Sequence, residues 1–212
     1  MLPSELRNLT VLDHPIVADK VARLRDLQTT PAQFRALVED LSICLAYEAS
    51  RHLDTRAVTV ETPLESCEGR RLALPVLLVP ILRAGLGMAN GISRLLPEAD
   101  IGMIGMYRDH DTLEPVDYYL RLPEDMGERT VYLLDPMLAT GGSAVAAIDK
   151  LQSHGARDIT MLVLISAPEG VAQINGAHPE IPIVTAALDR QLNEIGYILP
   201  GLGDAGDRYF GV

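Results

Sequence analysis

Asp135 and the residues behind it hold the densest chemistry in the chain. The apolar run Val131–Leu134 leads into Asp135, then Pro136, Met137, Leu138, Ala139, Thr140, Gly141, Gly142 and Ser143, and a helical pattern covers Ala144–Leu151. Strand, acid, small-residue loop and helix in that order direct several backbone N–H groups and the positive end of a helix dipole at one point. A phosphate monoester suits that point, with Thr140 and Ser143 as hydroxyl donors and Gly141 and Gly142 admitting close backbone approach. The plainer alternative is an ordinary strand-to-helix turn with Ser143 as its N-cap. No Gly-Lys-Ser/Thr follows, so the stretch is not a P-loop, and Val145 stands where a serine-hydrolase elbow needs glycine.

A second candidate is Arg83, which ends an apolar strand and precedes Ala84, Gly85, Leu86 and Gly87. It is either a surface arginine at a helix start or a guanidinium facing phosphates. The second reading is favoured, because a cation near a helix N-terminus opposes the dipole unless an anion is present. A third is the tail, Asn193–Val212, whose five glycines argue against a helix or central strand and for a structured loop. The histidines at 14, 52, 110, 154 and 178 show no metal-ligand spacing and are expected at the surface.

These segments need elements to position them. Pro15 opens a helix with Ile16, Val17, Val21, Leu24 and Leu27 at helical spacing. Thr30, Pro31 and Gln33 form the capping box of a second helix striped by Phe34, Leu37, Val38, Leu41 and Leu45, with Cys44 as a small apolar residue. From residue 56 the pattern changes, with strands predicted at 57–62, 74–80, 100–106, 130–135, 158–166 and 182–187 and helices at about 85–95, 143–154 and 168–175. Alternation of this kind, with strands apolar on both faces, predicts an α/β fold around a doubly wound, mostly parallel sheet flanked by helices. Tyr107–Pro123 interrupts it and is expected to protrude as a hairpin or flap.

Composition narrows the partners. With 212 residues and 48% hydrophobic content the chain is expected to form one domain, with N-terminal helices over 1–55, a core over 56–190 and a C-terminal loop over 191–212. A net charge of -11, from 18 basic against 29 acidic residues, argues against nucleic acid as a main partner, while a few arginines and N–H groups still serve a small phosphorylated substrate. Two cysteines without metal or disulfide spacing, no leader-like apolar stretch after Met1 and no run long enough for a bilayer point to the cytoplasm and away from a membrane.

The stretch Asp135–Ser143, DPMLATGGS, resembles the phosphoribosyl-pyrophosphate loop of uracil phosphoribosyltransferases. Val79–Met88 resembles that family's pyrophosphate-binding segment. Gly105–Asp109, with Leu113–Pro115 and Tyr118–Tyr119, resembles its flap, and Gly196–Asp207 its uracil-recognition loop. With His14–Pro15 and Tyr47–Ala49, the similarity runs over nearly the whole chain. The resemblance implies a phosphoribosyltransferase-like fold and transfer of the phosphoribosyl group of 5-phospho-α-D-ribose 1-diphosphate (PRPP) to uracil, giving UMP and pyrophosphate. It implies that Arg83 and Arg108 contact pyrophosphate, with Arg108 delivered by the flap, and that Asp135 lies near the ribose hydroxyls. Asp135 and Arg108 are thereby the catalytic candidates, and Asp135–Ser143 holds PRPP. Ile198, Gly203 and Ala205 read the uracil edge beside Tyr197, and Asp204 is counted with this uracil-binding set and also serves the phosphoribosyl substrate or its metal, its alternative being a turn-forming Asx residue. Mg²⁺ is implied, carried by substrate phosphates and water, because Pro136 stands where the wider superfamily has a second acid. The family forms dimers or larger assemblies, and some members respond to GTP.

Two rival readings are weaker. Gly201–Gly206 matches the dinucleotide fingerprint as written, but no strand leads into it and six residues follow it. An RNA-binding regulator of pyrimidine genes on the same fold needs a basic face that this acidic chain lacks.

Overall fold

The structure is a computed structural model that describes residues 6–108 and 115–212, with side chains over 6–106 and 118–212. The chain opens with β1 (Leu9–Val11), α1 (Pro15–Arg25) and α2 (Pro31–Ala49). The predicted capping box starts α2: Thr30 Oγ1 accepts from Gln33 N–H, and Gln33 Oε1 accepts from Thr30 N–H at 3.0 Å. A hairpin of β2 (Thr55–Glu61) and β3 (Ser66–Leu72) follows, then β4 (Val76–Leu82), α3 (Leu86–Leu95), β5 (Asp100–Ile101), β6 (Met103–Arg108) and β7 (Pro115–Arg121). The second half runs β8 (Thr130–Leu138), α4 (Gly142–Ser153), β9 (Asp158–Ser166), α5 (Pro168–Ala177) and β10 (Ile183–Leu188). It ends with β11 (Gln191–Leu192), β12 (Ile198–Leu199) and α6 (Ala205–Phe210).

The central sheet has the order β1-β10-β9-β8-β4-β6-β7, with β5 beside β4, and every pairing is parallel except β6 with β7. Alternation sorts the strands' side chains onto two cores. Leu78, Tyr132, Leu134 and Leu162 join the residues of α1, α2, α3 and α6, whereas Leu77, Leu133, Met161 and Val163 join those of α4 and α5. Burial on both faces explains why β4, β8 and β9 read as nearly continuous apolar runs.

Three expectations change. The strand predicted at 57–62 forms, but it pairs antiparallel with β3, which the apolar pattern missed, and both strands are largely exposed. The tail contains a helix, α6, despite its glycines, because Asp204 caps it by accepting from Asp207 N–H at 2.9 Å. His178 is buried rather than at the surface, its Nε2 lying 3.1 Å from Asp149 Oδ1. Where a protruding hairpin or flap was expected, β6 and β7 pair antiparallel at the sheet edge. Their connecting residues 109–114, among them Asp109, His110 and Leu113, lie outside the described residues.

Candidate active site

Parallel pairing puts the carboxyl ends of β4, β6, β8 and β10 on one edge of the sheet. There Arg83 follows β4, Arg108 closes β6, Asp135 lies near the end of β8 and Asp189 follows β10. The helices after the adjacent strands β4 and β8 leave to opposite faces, α3 to one core and α4 to the other. Such a divergence opens a crevice between the two strand ends, where open α/β sheets bind ligands.

The loop between β8 and α4, the candidate phosphate loop, lines one side of that crevice. Gly141 turns it with φ of 84°, a conformation few residues other than glycine adopt readily. A Cβ on Gly170 of α5 would meet Ala139 O at 2.5 Å, so the back of the loop rests on α5. The front is open: a Cβ on Gly142 would have no neighbour within 4 Å, and Thr140 and Gly142 are exposed. Ser143 is the second residue of α4, whose N-cap is Gly141 with no side-chain cap bond. The Ser N-cap alternative therefore fails. The helical ladder begins at Val145 N–H to Gly141 O, so the N–H groups of Gly142, Ser143 and Ala144 lie ahead of it as anion donors.

Asp135 stands at the loop entrance, accepting from Met137 N–H at 3.4 Å. Burial pushes its carboxyl up to about 7, against the smaller downward pull of that N–H. Leu138 is buried, and its carbonyl accepts from Ala167 N–H at 2.9 Å.

Opposite lies the turn after β4. The Leu82–Arg83 peptide is cis, and the exposed Arg83 guanidinium sits 5.2 Å from the centroid of the Phe210 ring. A Cβ on Gly87 would overlap the Tyr209 ring, so α6 is seated directly on the start of α3.

The tail completes the enclosure. Asn193 Oδ1 accepts from Ile195 N–H at 3.1 Å and Tyr197 N–H at 2.8 Å, shaping the turn between β11 and β12. That turn reaches the phosphate loop, since a Cβ on Gly196 would lie 3.7 Å from Thr140 Cγ2. Further on, one on Gly206 would lie 4.0 Å from Ala84 Cβ, so the tail bridges both loops. Ile198 and Ala205 are buried, while Tyr197 is half exposed. Gly203 is exposed with φ of 83°. Asp204 acts as the Asx-type cap of α6 and is itself exposed. The side chain of Arg108 lies outside the described residues, but its backbone closes β6, beside β4.

The candidate phosphate loop, the Arg83 turn and the tail thus converge on one crevice. The uracil phosphoribosyltransferase family profile matches residues 11–212. The chain belongs to the uracil phosphoribosyltransferase family. It is 53% identical over 207 residues to the uracil phosphoribosyltransferase of Symbiobacterium thermophilum, covering 97% of this chain and 99% of that one. The Pediococcus pentosaceus uracil phosphoribosyltransferase is 52% identical over 202 residues, covering 95% of this chain and 97% of the other. Among solved structures, the AQ2163 protein of Aquifex aeolicus superposes with a TM-score of 0.91 at 36% identity, covering 96% of this chain and 98% of that one. A Bacillus anthracis hypoxanthine-guanine phosphoribosyltransferase, at 12% identity and a TM-score of 0.52, covers 79% of this chain and 83% of its own and shares the fold.

Three residues that anchor the tail were not singled out in the sequence. Arg208 Nη1 donates to Leu24 O at 2.7 Å and Leu202 O at 2.9 Å, its Nη2 to Asp26 O at 2.6 Å, and its guanidinium lies 4.6 Å from the Phe34 ring centroid. Arg25 and Asp189 form an ion pair against Gly201. One signal was available: Asp189 directly follows a buried strand, as an acid at the ligand edge of the sheet.

Proposed function

We propose that this chain joins uracil to PRPP, giving UMP and pyrophosphate. What carries the reading is the convergence of the uncapped α4 N-terminus, the Arg83 turn and the tail on one crevice. The 5-phosphate is assigned to the N–H groups and hydroxyls of Thr140–Ala144, where the helix dipole favours an anion. Asp135 accepts from the ribose hydroxyls, and its charge offsets the positive charge that develops on the ribose as the C1–O bond lengthens. The electron pair of that bond leaves with pyrophosphate, which Arg83 and Arg108 hold through charge-assisted hydrogen bonds. Uracil N1 forms the new bond to C1 with inversion, and its proton passes to the departing pyrophosphate. The main chain of Ile198, Gly203 and Ala205 reads the pyrimidine edge, with Tyr197 shaping the pocket. Fixed hydrogen-bonding edges reject a base with the wrong donor pattern, so cytosine is a poor substrate.

Mg²⁺ fits the donor set. A hard ion that keeps waters and binds through substrate phosphates needs no more than Asp135 or Asp204 nearby. When bound, Mg²⁺ neutralises phosphate charge.

The deciding assay uses radiolabelled uracil with PRPP and Mg²⁺, beside cytosine, hypoxanthine and orotate. UMP from uracil alone is the expected result. No product from any base, together with tight RNA binding in a low-salt gel shift, would favour the regulator instead.

Gly142→Ala tests the open front of the loop. We expect a melting temperature at or above the parent's, since glycine to alanine in a helix typically stabilises by ~0.4–1 kcal/mol. The KM for PRPP is expected to rise about tenfold, equivalent to ~1.4 kcal/mol. An unchanged KM would remove the phosphate from that position. Arg108→Ala is expected to lower turnover roughly ten- to a hundredfold, through loss of a charge-assisted contact of ~1.5–3 kcal/mol. Parent-like turnover and KM would end that role.

A homo-oligomer is supported by the β2–β3 hairpin, because a two-stranded hairpin exposed on both faces is marginal in water on its own. Light scattering on the purified protein is expected to give a dimer or larger species, and a monomer would refute it. A cytoplasmic setting is supported by Cys44 and Cys67, both free thiols. No helix among the described residues is long and apolar enough to cross a membrane.

A further inference from the structure

Asp189 is 8% exposed and stands where β10 ends, at the ligand edge of the sheet. Its carboxylate accepts from Arg25 Nη1 at 2.8 Å and Nη2 at 2.5 Å, and from Gly201 N–H at 2.8 Å. Arg25 Nη1 also donates to Gly201 O at 2.7 Å. One ion pair therefore holds both backbone groups of a single tail residue.

That residue sits at a bend. Gly201 follows the cis Leu199–Pro200 peptide and has φ of 60°, and a Cβ on it would overlap Ile198 O. Gly201 is thus pressed against the carbonyl of Ile198 on one side and leads within two residues into Gly203–Ala205 on the other. Both flanking segments are the ones assigned to the base. Any shift of Gly201 changes the spacing between them.

A buried ion pair is a poor device for bulk stability, since apolar residues of like volume often hold a fold as well. Its strength is geometry: a planar fork and a carboxylate fix directions that apolar contacts leave loose. We infer that Arg25 and Asp189 are positioning residues for the pyrimidine base, locking the bend at Gly201 so that Ile198 and Gly203–Ala205 face uracil at a set separation. This rests on the assignment of the tail as the uracil loop.

The test is steady-state kinetics of Arg25→Lys, Asp189→Asn and the double variant in the full chain, with Tyr197→Ala as a control on the loop. Arg25→Lys keeps the cation, at a side chain that is 22% exposed, and melting curves verify folding. Each single variant is expected to raise the KM for uracil at least tenfold, the equivalent of ~1.4 kcal/mol, while the KM for PRPP stays within about twofold. The double variant is expected to match the worse single one, because the two side chains act as one unit. Unchanged uracil KM in both singles, with Tyr197→Ala raising it, would overturn the positioning role and leave the loop assignment standing. Unchanged uracil KM in all of them would overturn the loop assignment itself. A fall in kcat alone, in step with a lower melting temperature, would make the pair merely structural and also overturn the inference.

Discussion

Asp135→Asn is expected to fold as the parent does and to turn over at least roughly a hundredfold more slowly, the typical loss when one preorganised electrostatic group is removed. The amide matches the carboxylate in shape, and its Oδ1 still accepts from Met137 N–H, a 3.4 Å contact in the parent. The loop geometry therefore survives while the charge that we propose acts beside the ribose does not. The pH dependence separates this from a packing effect. Burial pushes the Asp135 carboxyl up to about 7, so the free protein carries the working carboxylate mainly above neutrality. The parent's kcat/KM is expected to climb with pH through that value, and the variant's to lose that limb. Stability runs the other way. The folded-state pKa lies above the ~3.9 of an unfolded Asp, so the folded chain binds the extra proton and loses stability as pH rises from about 4 to about 7. The neutral amide carries no such penalty, and the melting temperature of the variant relative to the parent is expected to be higher at pH 8 than at pH 4. Parent-like rates at pH 8 would remove Asp135 from the reaction.

How much of this was legible in the sequence depends on whether the signal was local. The capping box of α2 and the strand-loop-helix order around Asp135 lie within short windows, and the structure reproduces both. Helices α3, α4 and α5 likewise fall within two residues of their predicted ends. Strand β3 escaped notice because Ser66–Leu72 carries Glu68, Arg70 and Arg71 and packs on no core, so no burial alternation marks it. Helix α6 escaped for a different reason. Six residues with one glycine inside and another directly after have little helix propensity, and what holds them is the Asp204 cap together with tertiary contacts: Tyr209 on Gly87 and Arg208 on the carbonyls at the end of α1. Arg25 and Asp189 are separated by 164 positions, beyond the reach of any spacing argument. The base-reading assignments came from resemblance, and Ile198 and Ala205 are buried as whole residues.

The same contrast between local preference and tertiary contact makes Gly85→Ala the second large effect to expect. Gly85 has φ of −61° and ψ of −19°, so nothing in its own backbone forbids alanine, and at the start of α3 helix propensity would favour it. The neighbours forbid it. A Cβ there would lie 2.5 Å from Leu134 O, 2.7 Å from Ile81 O and 2.9 Å from Ile81 N. All three atoms are backbone, in β8 and β4, so no rotamer change relieves the clash. To reach ordinary contact of ~3.4 Å, either the β4 and β8 ends must part or the turn carrying Arg83 must tilt outward, by an amount approaching 1 Å. Overpacking of this kind costs about 1–3 kcal/mol in stability. Misplacing a positioning group by about 1 Å can cost about a hundredfold in rate. Gly85→Ala is therefore expected to melt below the parent and to lose about a hundredfold in kcat/KM for PRPP, whereas Gly142→Ala, with open space around its new methyl, keeps its melting temperature. Parent-like melting and kinetics in Gly85→Ala would mean that the turn has slack, and that the close approach of β4 to β8 is not what sets Arg83 opposite the phosphate loop.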